Sequence, residues 1–333
     1  MVIVMLATAA EAEIEAVLSY LSRAGAEHRV SRGVERTIIV VLTEMPDAAV
    51  ASVSTMAGVG RVVPIARPFT LASRDFKPEA TVVRLGAVEL GTGAVTLVVG
   101  ARFVEDDSQL SELARATRQA GVGLMRVSVG SRARFPYGLV PQPEVLKRRT
   151  ALAREVGLAV LAEVRSEEEA QAVARVAQGL FVSGQDMGNA ALLKRCASVG
   201  LPVVLARGPS AAVEEWLMAA EYVLALGHSQ VVLCEAGIRT FEAEAARTLD
   251  LSSLPLLRRL SHLPLMADPT PAGSGDLLGP LALAAVAAGA DAVVVEAATE
   301  ASAAGGQALA VEALGPLAKR LGALCRALGR VAS

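Results

Sequence analysis

Aromatic residues, cysteines and uninterrupted apolar runs are all scarce in this 333-residue chain. Aromatic side chains make up 3%, too few for a surface on which bases stack. The three cysteines, Cys196, Cys234 and Cys325, form no C-x-x-C pair. That argues against a disulfide framework or zinc knuckle and fits a reducing cytoplasm. The formal net charge is −2, so no overall field favours nucleic acid or an anionic membrane, and neither is expected as a partner. The start, MVIVMLATAAEAEIEAV, is apolar, but it has no basic segment and acidic residues follow at once, so it does not read as a signal peptide. The most apolar later stretch, 277–298, is interrupted by Asp291 and several glycines. It reads as a helix followed by a buried strand rather than a membrane span. What the chain does have is 53% hydrophobic and 20% charged residues, a balance that supports a large buried core. Its length suits two domains, or one large barrel with an appendage.

Residues 1–66 read as a small unit. MVIVML is strand-like, and Glu11–Arg23 places Ile14, Val17, Leu18 and Leu21 at helical spacing. HRVS and RTIIVVL are strand-like, Asp47–Met56 is a short helix, and GRVVPIA is a last strand. The order β-α-β-β-α-β is the ferredoxin-like pattern. Residues 67–93 are punctuated by proline and glycine, and TVVRLGAVELGTG reads as a hairpin suited to closing the bottom of a barrel. From 94 to 333 short apolar runs alternate with helical stretches: VTLVVG, VGLMRVS, LAVLAEV, GLFVSG, PVVLARG, QVVLCEAG, LPLMADP and ADAVVVEA. Helices are expected near 107–119, 143–156, 166–177, 187–199, 210–226, 242–258, 275–289 and 307–329. Continuous apolar strands between helices indicate a parallel sheet covered on both faces, and eight such units indicate an α/β fold of the (β/α)₈ barrel type. An open doubly wound sheet is the alternative. In such a barrel the chemistry sits at the carboxyl ends of the strands, which here are Arg102, Arg126, Glu163, Gln185, Arg207, Glu235, Asp268 and Glu296. The lysines, Lys77, Lys147, Lys194 and Lys319, stand at none of these ends, which disfavours a Schiff-base aldolase.

Several segments carry a resemblance. SRGVERT at 31–37, LASRDFKPE at 71–79, CEAGIRTFE at 234–242, TLDLSSLPLLRRLSHLPLMADP at 248–269 and VVVEA at 293–297 resemble 3-deoxy-D-arabino-heptulosonate 7-phosphate (DAHP) synthases of the type with an N-terminal ferredoxin-like regulatory domain. The resemblance runs over nearly the whole chain. It implies a condensation of phosphoenolpyruvate with erythrose 4-phosphate in the shikimate pathway. It also implies a divalent metal held by Cys, His, Glu and Asp, and Arg and Lys residues that bind the phosphates and the carboxylate. Two anions sharing one pocket need cations to offset their repulsion.

Carried over position by position, the family's pattern is largely replaced. The metal Cys position holds Arg102, the metal His position Pro271 and the metal Asp position Ala304, while the metal Glu stands as Glu296. Ser131 and Ala206 replace lysines. Ala133, Gln185 and Ala236 replace arginines, although Arg132 and Arg134 flank the second strand's loop. Arg126, Glu163, Glu235 and Asp268 are retained. With three of four metal ligands replaced, no cofactor is expected. Arg102 is expected to stand where the metal was and to pair with Glu296 or Asp268, because a buried carboxylate without a partner is costly. Arg126 and Arg207, with Arg132 and Arg134, are the residual anion-binding candidates. The plain alternative for Arg126 and Arg207 is a strand-end salt bridge with Glu163 or Glu235.

His262 reads as structural, His228 and His28 as surface residues, and Cys234 as a packed residue rather than a nucleophile. In the small unit, Ser31 and Arg29 occupy positions near which the resemblance implies an aromatic amino acid. The chain is thus expected to be a non-catalytic, cytoplasmic relative with a regulatory or scaffolding role, forming a homodimer or homotetramer or associating with an active synthase or another chorismate-pathway partner. The alternatives are a metal-free enzyme acting on a phosphorylated or carboxylated substrate, and a weakly active DAHP synthase.

Overall fold

The computed structural model describes residues 1–33, 36–63, 68–129, 141–242, 246–299 and 307–332. In the small unit, β1 (Val2–Met5), α1 (Glu11–Arg23), β2 (His28–Arg32), β3 (Thr37–Val41), α2 (Asp47–Ser54) and β4 (Val59–Val63) follow in the expected order. The strands form an antiparallel sheet in the order β2-β3-β1-β4. Successive side chains on a strand face opposite sides, and both sides are used. Ile3, Met5, Ile39 and Val41 pack with Ile14, Val17 and Leu21 of α1 and Val53 of α2. Val2, Val4 and Ile38, on the opposite parity, join the outer core of the following barrel.

A hairpin comes next, β5 (Val83–Leu85) and β6 (Val88–Leu90). Val83, Leu85 and Leu90 are buried against the barrel's interior cluster. Leu85 lies close to Gly179, where the fourth barrel strand starts, and the Thr81 N–H donates to the His262 carbonyl just before the seventh. The hairpin therefore closes the amino-terminal end, as the sequence predicts.

The barrel runs β7 (Thr96–Gly100), α3 (Asp107–Gln119), β8 (Leu124–Val127), α4 (Pro143–Glu155), β9 (Ala159–Val164), α5 (Glu167–Val173), β10 (Gly179–Val182), α6 (Ala190–Val199), β11 (Val203–Ala206), α7 (Val213–Ala225), β12 (Val231–Glu235), α8 (Ser253–Leu260), β13 (Leu265–Ala267), α9 (Leu278–Ala287) and β14 (Ala292–Ala298). Each of these strands pairs in parallel with the next, and β13 with β14 and β14 with β7 close the ring. Alternate residues fill the two sides. Val98, Leu124, Leu161, Phe181, Val204, Val232, Met266 and Val294 fill the interior, and Val99, Met125, Val160, Leu205, Leu233 and Val295 meet the helices. This is the (β/α)₈ barrel, and no open sheet forms.

Two expectations for this region are corrected. Residues 246–252 are not helical. Thr248 exchanges backbone hydrogen bonds with Ile238, and the Asp250 carboxylate accepts from Ser253 N–H at the start of α8, so the helix begins only at Ser253. The tail holds a further short strand, β15 (Leu309–Ala310), paired with β14, before α10 (Leu314–Ala327). No helix among the described residues is long and apolar enough to cross a membrane.

The small unit docks on the barrel where α7 ends. A Cβ on Gly33 would lie 2.2 Å from the Gly227 Cα, so the two backbones touch. Nearby, the Glu221 carboxylate of α7 accepts from the Leu71 and Ala72 N–H groups at 2.9 and 2.8 Å, tying down the segment that joins unit and barrel.

Candidate functional site at the barrel mouth

Every barrel strand delivers its last residues to one rim. Arg126 on β8 is the centre of that rim. It is 3% exposed, donates to Asp268 beyond β13 at 2.7 Å and to Glu296 on β14, lies 3.9 Å from Glu163 on β9, and covers the Phe181 ring at 4.6 Å. Gly100 makes room for this arrangement, because a Cβ there would fall 2.2 Å from a Glu296 carboxylate oxygen. Burial alone would pull the Arg126 guanidinium down. The charges of Asp268, Glu296 and Glu163 outweigh it, and the group is held well above its ordinary value. The reverse holds for Asp268: burial would raise its carboxyl, but Arg126, then Arg102 and the Thr270 contact, bring it below the ordinary value.

Above this cluster lies a cavity of about 140 Å³. Four arginines line it, Arg102, Arg126, Arg165 and Arg247, with the carboxylates Glu163 and Asp268 and the neutral side chains Ser183 and Gln185. Ala206, Ala236 and Pro271 line the same cavity, so these three strand-end positions meet at one pocket. Ser131, Arg132, Arg134 and Ala304 lie outside the described residues. Glu163 is buried, and one of its carboxylate oxygens makes no hydrogen bond among the described residues. Arg102, Arg126 and Arg165 surround it at 3.8, 3.9 and 4.0 Å.

The Arg102 guanidinium does not pair with Glu296 or Asp268, contrary to expectation. Only its backbone N–H reaches Glu296, at 2.7 Å, and its side chain faces Glu163. The reason is steric: Arg126, inside the ring, already occupies both carboxylates, whereas Arg102 starts beyond the end of β7.

Arg207 is not among the cavity's lining residues. Its guanidinium donates to Glu235 at 3.1 Å, to Asp250 at 2.9 Å and to the Ala211 carbonyl, and it packs over Trp216. Glu235 also accepts from the Gly237 N–H at 2.8 Å. Burial raises the Glu235 carboxyl above its ordinary value, with Arg207 working against that shift. This is the strand-end salt bridge, built into the support beneath the β12–α8 loop.

His262 is structural. One ring nitrogen meets the Thr81 hydroxyl and the other the Leu71 carbonyl, both at 2.8 Å, and burial lowers its pKa to about 4. His228 is buried, not a surface residue. Cys234 is fully buried inside the barrel, which pushes its thiol far up. Ser31 and Arg29 sit on β2, one of the two edge strands of the small sheet. Sequence reasoning missed Arg165 and Arg247 as pocket residues. Arg165 has a local signal, since it stands two residues after Glu163 and so on the same side. Arg247 has none, because the fold of its loop brings it in.

Two family descriptions match the chain: the DAHP synthase ferredoxin-like domain over residues 1–67 and the DAHP synthetase I family over residues 76–323. The chain is 33% identical over 298 residues to a phospho-2-dehydro-3-deoxyheptonate aldolase of Thermotoga maritima, covering 89% of this chain and 88% of that protein. It is 30% identical over 165 residues to a 2-dehydro-3-deoxyphosphooctonate aldolase of Acidithiobacillus ferrooxidans, covering 46% and 58%. The crystal structure of the Thermotoga maritima DAHP synthase superposes with a TM-score of 0.76 at 32% identity, covering 100% of this chain and 99% of that one. A truncated form of that organism's synthase gives 0.73 at 34%, covering 80% and 100%.

These matches overturn the expectation of no cofactor. The matched family is the one to which the resemblance assigns a divalent metal, and a match of this extent gives no ground for setting the chain apart from it. The described residues do not by themselves complete such a centre. Asp268 and Glu296 are bound by Arg126, no group of three metal-ligating side chains is found among the described residues, and residues 300–306 lie outside them.

Proposed function

The chain belongs to the DAHP synthase family, and on that premise we propose that its barrel mouth carries out the family's aldol-type condensation, joining phosphoenolpyruvate to an aldose phosphate such as erythrose 4-phosphate. In that reaction the methylene carbon of phosphoenolpyruvate bonds to the aldehyde carbon, water adds, and inorganic phosphate leaves. The observation that supports the reading is the formed polar cavity at the carboxyl ends of the strands, lined by four arginines. Guanidinium groups suit phosphate and carboxylate because their planar donor fork matches both. Arg126 keeps the rim's carboxylates from repelling an incoming anion, and the outer arginines are left to bind it.

The test is turnover. Purified protein given both substrates and manganese should release inorganic phosphate in a reaction that depends on both, and bound metal should be weighed in the same sample. No release under any metal tested sinks the proposal.

A second reading has its own support. Ala206, Ala236 and Pro271 line the cavity without offering a charged donor, which favours a non-catalytic relative that regulates an active synthase, with an aromatic amino acid taken up near Ser31. Under that reading the chain shows no turnover, co-elutes with an active homologue and changes that enzyme's rate.

A further inference from the structure

The four arginines of the mouth are not equivalent. Arg126 is neutralised by Asp268 and Glu296. Glu163 is then the remaining carboxylate of the lining, and Arg102 and Arg165 both stand beside it at 3.8 and 4.0 Å. Arg247 has no carboxylate within 4 Å among the described residues. Its guanidinium donates to the Ala236 carbonyl at 3.2 Å, which holds it against the cavity wall. Burial lowers the Arg247 pKa first, and the charge of Arg102 lowers it next, ahead of any stabilisation from Asp268 or Glu235. Two guanidiniums that repel each other across a cavity are an arrangement that a bound anion relieves.

From this geometry we propose that Arg102 and Arg247 form a clamp for the phosphate of a phosphomonoester, and that Arg126 is a structural charge centre rather than a ligand-binding residue. A phosphate dianion between the two guanidiniums receives charge-assisted hydrogen bonds from both sides. Ala236 offers no charged group at its own position, and Arg247 supplies one from the far end of the same loop.

The inference rests on the functional reading only in taking the barrel mouth as the ligand site, and binding tests it apart from turnover. Inorganic phosphate and erythrose 4-phosphate are titrated calorimetrically into the full chain, into Arg102→Gln, Arg247→Gln and Arg247→Lys, and into Arg84→Gln as a control in the exposed hairpin pair with Glu89. Both Gln variants should weaken the affinity for each ligand about tenfold or more. Arg247→Lys should retain part of it, and Arg84→Gln should match the parent. Melting temperatures confirm that each variant is folded. Binding by the parent that the Arg102 and Arg247 variants leave unchanged overturns the clamp and leaves the synthase reading standing. No binding by the parent overturns the clamp outright. Binding that follows the clamp pattern without turnover supports the clamp and sinks only the synthase reading.

Discussion

Arg126 on β8 and Asp268 beyond β13, both buried, meet at 2.7 Å across the mouth of the barrel, and Glu296 accepts from the same guanidinium. Charges taken out of water hold only while they are paired. Removing Arg126 strands Asp268 and Glu296, and leaves Glu163 with only the outer arginines. Arg126→Met should therefore cost about 3–5 kcal/mol of stability at neutral pH, read from chemical denaturation. A loss below about 1 kcal/mol would show that the cluster is not the electrostatic support described here.

Glu221 gives a pH-dependent prediction. Burial raises its carboxyl to about 7, and the N–H groups of Leu71 and Ala72 counter only part of that rise. Its folded value thus lies above the ordinary 4.5. Between the two values the folded chain binds the proton more tightly than the unfolded chain, so this group's contribution falls as pH rises from about 4.5 to about 7 and is flat above. Glu221→Gln, neutral throughout, should lack that fall. Denaturation at pH 5 and pH 7.5 checks it. An identical slope in parent and variant excludes the assignment.

Much of the fold is legible in the sequence because its causes are local. Ile14, Val17 and Leu21 repeat at helical spacing and do bury one face of α1. Apolar runs such as VVLC and AVVVEA become strands covered on both sides, since a parallel strand has no wet face. The ring of Ala206, Ala236 and Pro271 around one cavity is equally accessible, because strand ends converge in a barrel. What escapes the sequence depends on distant contacts. Arg126 wins Asp268 and Glu296 from Arg102 through packing across the ring, which no periodicity records. Arg247 enters the pocket only because Thr248 pairs with Ile238 and turns an apparent helix into a returning loop. His228 sits beside Gly227, onto which the small unit docks, and its burial has no local signature.

The contact of Gly33 with Gly227 allows no side chain on either partner. A Cβ at Gly33 meets the Gly227 Cα at 2.2 Å and the Leu226 carbonyl oxygen at 2.6 Å, both of them backbone that cannot swing aside. Gly33→Ala should weaken docking by about 1–3 kcal/mol. Gly227→Ala adds strain of similar size, since its φ is +83°. Small-angle scattering should show a larger radius of gyration for Gly33→Ala, and residues 68–75 should be cut faster by protease, while the barrel melts near the parent's temperature. Unchanged scattering and cleavage would mean that the docking does not depend on this contact.

Arg207 separates a structural arginine from a ligand-binding one. Its guanidinium is shared by Glu235 and Asp250 at 3.1 and 2.9 Å and lies outside the cavity lining. Arg207→Met leaves Glu235 buried beside the Gly237 N–H without its counter-charge, which should cost about 3–5 kcal/mol at pH 8. Burial already raises the Glu235 carboxyl, and without Arg207 it rises further. The folded variant can then take up a proton as pH falls, which removes the stranded charge, so the penalty should be smaller at pH 5 than at pH 8. Phosphate affinity, compared on folded protein at pH 5 where the variant is more stable, should stay within about twofold of the parent, because Arg207 does not line the cavity. A variant that keeps its stability and loses phosphate would reverse the roles assigned here, placing the anion at the β11 end instead of between Arg102 and Arg247.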